Sequence, residues 1–257
     1  MTVLEGFERV GTSWALALTQ PSARAWVEAT IRGGATLYDA ASASSLDSAE
    51  GRGVVHVIAA PTGEGRQWAV RRYMRGGWIR SLGDRYLRGG TPRPFQELAA
   101  SAAVLRRGVP TPTVVCAAVY FRGIFYRGDL ITEYISDSRD LASVLFDVSP
   151  GESSEGASHR IAALSAAGGL IRRMASAGVR HPDVNAKNVL IHGDPKTPDA
   201  MLLDLDRCVV SEPPESEPIT PMYRRLERSL AKWESRTGRR ISEEELRTLR
   251  AGLEAYR

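Results

Sequence analysis

The sequence predicts an α+β fold of two lobes, in which a small and mainly β N-lobe precedes a larger and mainly α C-lobe. The chain has 257 residues, of which 43% are apolar, so it can bury a sizeable core. Strand-like and helix-like segments alternate along it, which argues against disorder. A hinge-like segment near residue 132 places the N-lobe at residues 1–132, with a basic insertion near 72–93, and the C-lobe at 133–257.

The first predicted feature of the N-lobe is a glycine turn that leads into a strand. Gly51 and Gly53 precede the apolar run Val54–Ile58. Glycines at this position would let backbone N–H groups approach phosphate oxygens, which makes both of them candidate nucleotide-binding residues. An ordinary hairpin turn would show the same pattern, so both interpretations stay open.

A second strand is predicted at Gln67–Arg71, where small and apolar residues lead to a cation. The cation is Arg71, whose planar guanidinium places a phosphate differently from a lysine ammonium. Arg72 falls on the opposite face of the strand and is interpreted as a solvated charge. A shift of one residue in the strand register would exchange the two roles.

A helix that ends at Gly108 is predicted next, with Arg106 in its last turn and Pro110 beyond it. Glu97 lies beside the apolar stripe of this helix. It either points toward Arg71 or is an ordinary surface glutamate, and the order of the motifs favours the first alternative. The stripe recurs at helical spacing and consists of Phe95, Leu98, Ala102 and Leu105.

The predicted hinge is Thr132–Ile135, directly after the strand Leu130–Ile131. Its Glu133 is counted among the candidate nucleotide-binding residues. For the two helices predicted in the tail, packing on the C-lobe is favoured over contact with a membrane. The predicted C-lobe elements are a short helix over 140–146, a loop over 149–158, a long helix over 159–177 ended by Gly178, and tail helices over 223–233 and 242–256.

A cluster of polar residues at one hairpin is the most informative feature of the C-lobe. Asp183 and Asn188 lie five positions apart after His181, and Asp204 follows the second of two short apolar runs that flank the turn 193–199. Enzymes that transfer phosphate use one carboxylate to accept a hydroxyl proton, and an amide with a second carboxylate to hold Mg²⁺. The alternative is a chance loop, because Asp and Asn also favour turns.

The chain resembles the lipopolysaccharide kinase family over residues from about 51 to about 233. The segments that carry the resemblance are Arg71–Gly77, Phe95–Glu97, Asp129–Glu133, His181–Asn188 and Leu203–Arg207, of which RRYMRGG and DVNAKN are the most specific. The resemblance implies a protein-kinase-like two-lobed fold. It also implies ATP-dependent transfer of phosphate to the 4-hydroxyl of 3-deoxy-D-manno-octulosonic acid (Kdo) on a lipid A precursor.

Carried over to this sequence, the resemblance makes Asp183 the catalytic base and makes Asn188 and Asp204 the Mg²⁺ ligands. Arg71 and Glu97 become the strand and helix pair of an ATP site. Two residues depart from the protein-kinase pattern, in which an Arg stands at position 182 and a Gly at position 206. Pro182 disfavours a protein kinase that is regulated by a phosphorylated activation segment. Asp206 either adds a carboxylate to the metal site or caps the turn.

Two alternative functions stay open. One is a kinase for another small acceptor, such as a heptose or an aminoglycoside. The other is a catalytically silent, kinase-like binding protein, which Arg71 and Pro182 would suggest and the intact Asp183, Asn188 and Asp204 argue against.

The positive charge is concentrated between Arg66 and Arg93, where eight arginines face one acid, Asp84. Trp78 and Tyr86 are among the residues that interleave with these arginines, a mixture typical of a segment that lies on an anionic lipid surface. We therefore expect an anionic glycolipid acceptor and a membrane surface as partners, and no nucleic acid.

The predicted location is cytoplasmic, peripheral on the cytoplasmic face of the inner membrane. The sequence has no apolar run long enough to span a bilayer and no pattern of a secretory signal. The two cysteines, Cys116 and Cys208, have apolar neighbours and suit buried thiols in a reducing compartment.

Overall fold

The computed structural model describes residues 4–50, 54–63, 65–74, 84–147 and 154–254, with the side chains of 47–50 left out. Gly51, Gly53 and residues 75–83 of the predicted basic insertion therefore lie outside the described residues. The chain divides into two compact units, Met1–Ala102 with Thr113–Tyr134, and Ala103–Pro112 with Ile135–Arg257.

This division differs from the predicted one in the segment 103–112, which was assigned to the N-lobe and belongs to the second unit. The physical reason is a set of contacts within that unit. The Leu202 N–H donates to the carbonyl of Pro110 at 2.9 Å, and the Arg107 guanidinium pairs with Glu212 at 2.7 Å. The other boundary falls after Tyr134, two residues beyond the predicted position.

The first unit is built on an eight-stranded antiparallel sheet. The strands are β1 Glu8–Gly11, β2 Ala15–Thr19, β3 Asp47–Glu50, β4 Val54–Ala59, β5 Gln67–Arg72, β6 Tyr86–Leu87, β7 Val114–Arg122 and β8 Phe125–Glu133. Their order in the sheet is β1-β2-β7-β8-β5-β4-β3, and β6 pairs with β8. Side chains alternate between the two faces of a strand, and the first seven residues of β7 are all buried, so this central strand is covered on both faces.

Helices cover both faces of this sheet. Ile131 of β8 belongs to the core under α1 (Arg24–Arg32) and α2 (Leu37–Ala43), whereas its neighbour Leu130 belongs to the core under α3 (Arg93–Arg106). Consecutive residues of a strand point to opposite faces, so the two cores lie on opposite sides of the sheet. No elements were predicted for the first 50 residues, which contribute β1, β2, β3, α1 and α2.

The second unit is mainly helical. Its long helix begins at Ser154, so residues 154–158, which we predicted as loop, form the first turns of the helix. Gly178 follows with a φ of +67°, a conformation that favours glycine. The helices are α4 Leu141–Phe146, α5 Ser154–Ser176, α6 Ile219–Thr237 and α7 Glu243–Glu254, and the short strands are β9 Arg139–Asp140, β10 Val179–Arg180, β11 Val189–His192, β12 Asp199–Leu202 and β13 Val209–Val210.

The tail helices pack on the second unit. Leu226 and Leu230 of α6 and Leu249 of α7 are buried. Ser242 and Glu245 form a capping box at the start of α7, because the Glu245 N–H donates to Ser242 Oγ at 3.2 Å and the Ser242 N–H donates to Glu245 Oε2 at 2.7 Å. No helix among the residues described is long and apolar enough to cross a membrane.

Candidate active site

Within the first unit, Arg71 of β5 and Glu97 of α3 form an ion pair. The Arg71 Nη2 donates to both carboxylate oxygens of Glu97 at 2.5 Å, and the Tyr73 hydroxyl donates to the same carboxylate. Glu97 is only 4% exposed, so it is not the surface glutamate of the second alternative. A buried carboxylate with a guanidinium and a hydroxyl as partners has its charge compensated.

Because Glu97 is buried, the face of α3 that packs into the core differs from the face that we predicted. Ser101 and Val104 are buried in place of Ala102 and Leu105, and Leu105 is 37% exposed. The predicted stripe is therefore rotated from the buried face that the structure shows. A pattern that counts only apolar residues leaves out a buried, paired glutamate. The buried face of α3 includes Phe95, Glu97, Leu98, Ser101 and Val104.

Arg72 is not the solvated charge that we predicted. Its guanidinium lies 2.7 Å from Asp39 and 3.6 Å from Asp129, and it stacks on the Tyr38 ring. The register of β5 against β8 places Arg72 opposite Asp129. These carboxylates come from α2 and β8, far away in sequence, and so the strand pattern alone could not indicate them.

Burial raises the pKa of Asp129 to about 6, although a hydrogen bond from the Tyr38 N–H and the positive charge of Arg72 both act to lower it. Burial also raises the pKa of Tyr120 well above its usual value, with the Asp129 charge as the next cause. Because desolvation disfavours the charged carboxylate, this buried cluster costs stability when Asp129 is ionised.

Glu133 is the last residue of β8, and the Arg66 guanidinium lies 3.5 Å from its carboxylate. The Glu133 N–H donates to the carbonyl of Thr113. The structure thus shows where three of the five candidate nucleotide-binding residues lie, namely Arg71, Glu97 and Glu133, but it describes neither Gly51 nor Gly53.

Within the second unit, the fully buried His181 joins the loop of Asp183 to the segment of Asp204. Its Nδ1 accepts a hydrogen bond from the Asp183 N–H at 3.1 Å, and its Nε2 lies 2.8 Å from the carbonyl of Asp204. Since Nδ1 accepts and a carbonyl can only accept, Nε2 carries the proton. His181 stands at the start of the predicted motif, but its role in linking these two segments was not predicted.

Asn188 is held against the same loop. Its amide nitrogen donates to the carbonyl of Asp183 at 3.1 Å, so its amide oxygen is the atom that could ligate a cation. Its own carbonyl accepts from the Leu203 N–H at 2.8 Å, which brings the residue next to Asp204 close to Asn188. The predicted hairpin is present as β11 and β12 and accounts for this proximity.

Asp204 adopts a left-handed backbone conformation, with φ 60° and ψ 63°. Such a conformation costs about 1 kcal/mol or more for a residue other than glycine, and Asp is among the few that tolerate it. Asp206 lies in the short 3₁₀ helix Leu205–Arg207 that follows. Both alternatives for Asp206, a metal carboxylate or a turn cap, remain predictions.

The pair of Asn188 and Asp204 has the donor chemistry of a magnesium site. Among the described residues, no group of three or more His, Cys, Asp or Glu side chains could hold a metal ion. One amide oxygen and one carboxylate suffice for Mg²⁺ when phosphate oxygens and water complete its coordination. The residues present therefore fit an ion that arrives with a nucleotide.

Arg225 is a residue of this site that sequence reasoning missed. It projects from α6, and its guanidinium pairs with the Asp183 carboxylate. The two side chains are 31% and 26% exposed. No local signal could have identified this contact, because 42 residues separate the partners.

The first unit thus has a strand cation paired with a helix glutamate, and the second unit has an Asp and Asn loop joined to a second Asp. Kinase-like phosphotransferases have both features. A model of the lipopolysaccharide kinase (Kdo/WaaP) family matches residues 38–251. The chain belongs to this family, which confirms the predicted family and enzyme class.

Relatives support the same assignment. A 3-deoxy-D-manno-octulosonic acid kinase of Pasteurella multocida is 32% identical over 217 residues, which cover 82% of this chain and 85% of the relative. One of Vibrio parahaemolyticus is 34% identical, and the match covers 63% of each chain, somewhat under two thirds of the relative.

The fold is similar to that of a solved structure, WaaP in complex with acyl carrier protein. The TM-score is 0.54 at 16% identity, and the match covers 93% of this chain and 88% of that one. The predicted α+β class, with a mainly β first part and a mainly α second part, is confirmed.

Proposed function

We propose that this protein is an ATP-dependent kinase that phosphorylates the 4-hydroxyl of a Kdo sugar on a lipid A precursor, in lipopolysaccharide core biosynthesis. The family membership and the names of the relatives support this proposal. The observation that carries it is the loop in which His181 joins Asp183 to Asp204 while Asn188 binds the Asp183 carbonyl.

In this proposal Asp183 is the catalytic base. The acceptor hydroxyl donates its proton to the Asp183 carboxylate while its oxygen attacks the γ-phosphorus of ATP, and the bond from that phosphorus to the β-γ bridging oxygen breaks. Phosphoryl transfer demands little covalent chemistry of a protein, so the main task of the loop is to position the hydroxyl in line.

Asn188 and Asp204 would hold Mg²⁺ through the amide oxygen and the carboxylate. When bound, the ion neutralises the charge of the phosphate oxygens. The hydrogen bonds of His181 and Asn188 fix the backbone of these ligands before the nucleotide arrives, and this reduces the reorganisation that binding requires.

Arg71 would contact the nucleotide phosphates, with Glu97 as the residue that orients it. A guanidinium has five N–H donors, so it can bind a carboxylate and a phosphate at the same time, which a lysine ammonium does less rigidly. Gly51, Gly53 and Glu133 complete the proposed set of nucleotide-binding residues.

We also propose that the protein works as a peripheral protein on the cytoplasmic face of the inner membrane, where it meets its anionic glycolipid acceptor. The support is a surface that we call the basic edge, formed by β6 and the β7–β8 turn. Leu87 and Ile124 are 59% and 67% exposed there. The Arg88 N–H donates to the Ile124 carbonyl at 2.8 Å, and Arg85, Arg88 and Arg122 are exposed around them.

The basic edge contains only part of the arginine run between residues 66 and 93. Arg66, Arg71 and Arg72 are instead paired with carboxylates inside the first unit. The charge available to a lipid surface is therefore smaller than the sequence suggested. Even so, two exposed aliphatic side chains beside several arginines favour binding to an anionic lipid surface.

An acceptor panel tests the proposed function. The purified protein is incubated with ATP and Mg²⁺, and with a Kdo-bearing lipid A precursor, a heptose-bearing core acceptor, an aminoglycoside, or no acceptor. We expect phosphorylated product with the Kdo acceptor. Product with only the heptose or the aminoglycoside would support another small-acceptor kinase, and no product with any acceptor would support a silent binding protein.

A further inference from the structure

Helix α6 holds two side chains against the loop of the proposed catalytic base. Arg225 pairs with the Asp183 carboxylate, and one turn later Ser229 Oγ accepts from the Ala186 N–H at 3.1 Å. Residues at i and i+4 share one helix face. The burial of Leu226 and Leu230 fixes the rotation of α6, so the position of Arg225 beside Asp183 is built into the fold.

Proton acceptance by Asp183 does not itself require an arginine. A neighbouring cation that stabilises a carboxylate also makes it a weaker base. Arg225 is nevertheless in direct contact with Asp183, and almost a third of its side chain is exposed to solvent. Its guanidinium is always charged, and its planar set of donors can bridge two carboxylates at once.

We propose that Arg225 binds the carboxylate of an acidic sugar acceptor and thereby selects sugar acids over neutral sugars. This inference rests on the proposed function, because it concerns the acceptor of the same reaction. In a sugar such as Kdo, the carboxylate and the 4-hydroxyl are borne on nearby carbons of one ring. A hydroxyl bound at Asp183 therefore brings the carboxylate within reach of a side chain that already touches Asp183.

The bound sugar acid would then be held at two points, with its hydroxyl at Asp183 and its carboxylate at Arg225. A neutral sugar offers no second anion, so the guanidinium would stay on Asp183 and compete with the incoming hydroxyl. The enzyme would discriminate against a neutral sugar because that sugar lacks the charge-assisted hydrogen bond to Arg225 and because the guanidinium competes with its hydroxyl.

A purely structural role for Arg225 makes a different prediction. If the guanidinium only keeps the Asp183 side chain in place, its removal lowers turnover equally with every acceptor. A cycle that combines enzyme variants with acceptor analogues separates the two roles.

The experiment uses the wild-type protein and R225Q with the Kdo-bearing lipid A precursor and with its carboxylate methyl ester. We expect R225Q to raise the acceptor KM about 10- to 100-fold with the free acid, which is the range for a hydrogen bond between charged groups. With the ester, the wild-type KM should already be raised, and R225Q should not raise it further, because the substitution also removes the guanidinium that competes for Asp183. The KM for ATP should not change.

R225K and R224Q serve as controls. R225K keeps the positive charge but lacks the planar donor set of Arg. It should therefore bind the acid more tightly than R225Q and less tightly than the wild type. Arg224 is an exposed neighbour on the same helix, so R224Q should leave the KM values for both acceptors unchanged. Thermal unfolding of each variant checks that α6 is intact.

An equal loss by R225Q with acid and ester would overturn the inference and leave the proposed function standing. A wild-type enzyme that fails to distinguish acid from ester would also overturn it, even if R225Q did not fold. A wild-type enzyme that does not phosphorylate the Kdo acceptor at all would overturn the proposed function, and this inference with it.

Discussion

The Asp183 backbone is fixed by three side chains before any substrate binds. His181 accepts from its N–H, and Asn185 and Asn188 donate to its carbonyl at 3.0 and 3.1 Å. This arrangement fixes the direction in which the carboxylate projects, while the carboxylate itself pairs with Arg225. This fixed backbone would serve the general base that we propose Asp183 to be.

Replacing Asp183 by Asn removes the proposed proton acceptor and nearly preserves the shape of the side chain. General base catalysis contributes about 10²- to 10⁴-fold, so kcat should fall by about that factor in steady-state assays. The Kd for ATP should change little, because the proposed nucleotide contacts lie at other residues. An unaltered kcat, or a large loss of ATP affinity with kcat retained, would contradict the assigned role.

Asp129 supplies a test of buried electrostatics that is independent of catalysis. Its pKa is raised to about 6 in the folded state, against about 3.9 for an exposed Asp. Between these values the folded state binds the proton that the unfolded state releases. The stability contributed by this group therefore decreases as pH rises from about 4 to about 6, by about 3 kcal/mol, and does not recover above that.

Asp129→Asn cannot titrate, so its stability relative to the wild type should increase by up to about 3 kcal/mol between pH 4 and pH 7. The amide oxygen of Asn can still accept from the Tyr38 N–H, and Arg72 keeps Asp39 as a partner. Urea denaturation at several pH values measures this difference. A stability difference that stays constant with pH would show that Asp129 is ionised throughout.

At the scale of elements, α5 and α7 approach so closely that both carry glycine at the contact. A Cβ atom on Gly168 would overlap the carbonyl of Leu249, and one on Gly252 would lie 2.6 Å from the carbonyl of Ser165. Backbone atoms cannot move aside as a flexible side chain can. The contact therefore positions α7, whose Glu245 also pairs with Arg160 of α5 at 2.7 Å.

Gly168→Ala should destabilise the protein by about 1–3 kcal/mol, the usual cost of overpacking a core. Gly169 is the matched control, since a Cβ there would meet only the end of the Arg172 side chain at 4.0 Å. Gly169→Ala should stabilise the helix by up to about 1 kcal/mol. Chemical denaturation measures the free energy of unfolding of both variants. Equal changes in the two variants would mean that α5 and α7 are not in close contact at Gly168.

The basic edge is the element through which we expect the protein to meet a membrane. Each basic residue near an anionic surface contributes about 1 kcal/mol, so Arg85→Gln with Arg88→Gln should weaken vesicle binding by up to about 2 kcal/mol. The loss should shrink as salt increases. Co-sedimentation with vesicles that contain anionic lipid measures it.

Leu87→Ser with Ile124→Ser should weaken vesicle binding through lost apolar burial, and this effect should depend little on salt. Arg24→Gln with Arg32→Gln removes the same charge from helix α1 and is the matched control. If the α1 variant loses as much affinity as the Arg85 and Arg88 variant, only net charge matters and the basic edge is not the contact.

Across the whole molecule, the features that could be predicted from the sequence are those that depend on residues close together in the chain. The hairpin between Val189 and Leu202, the helix of Glu97 and the chain order of the motifs follow from turn residues and periodicity. The pairing of Arg72 with Asp39 and Asp129, and that of Arg225 with Asp183, could not be predicted in this way. Such contacts join residues that only the tertiary fold brings together.

The same reason explains why the buried face of α3 and the placement of the segment 103–112 in the second unit were not predicted. Hydrophobic periodicity has no means to represent a buried ion pair such as Arg71 and Glu97. The Pro110 carbonyl that binds the Leu202 N–H carries no sequence signal at all. Contacts of this kind place residues in the structure without altering the local pattern on which a prediction relies.

The reaction that we propose is phosphate transfer to the Kdo 4-hydroxyl, and it depends on Mg²⁺ and ATP. The most direct measurement is mass spectrometry and ³¹P NMR of a Kdo-bearing lipid A precursor after incubation with the protein, Mg²⁺ and ATP, with Asp204→Ala as the control. We expect one added phosphate on the Kdo 4-oxygen, absent without Mg²⁺ and absent with Asp204→Ala. An unmodified acceptor with the wild-type protein, or equal product with Asp204→Ala, would contradict the account.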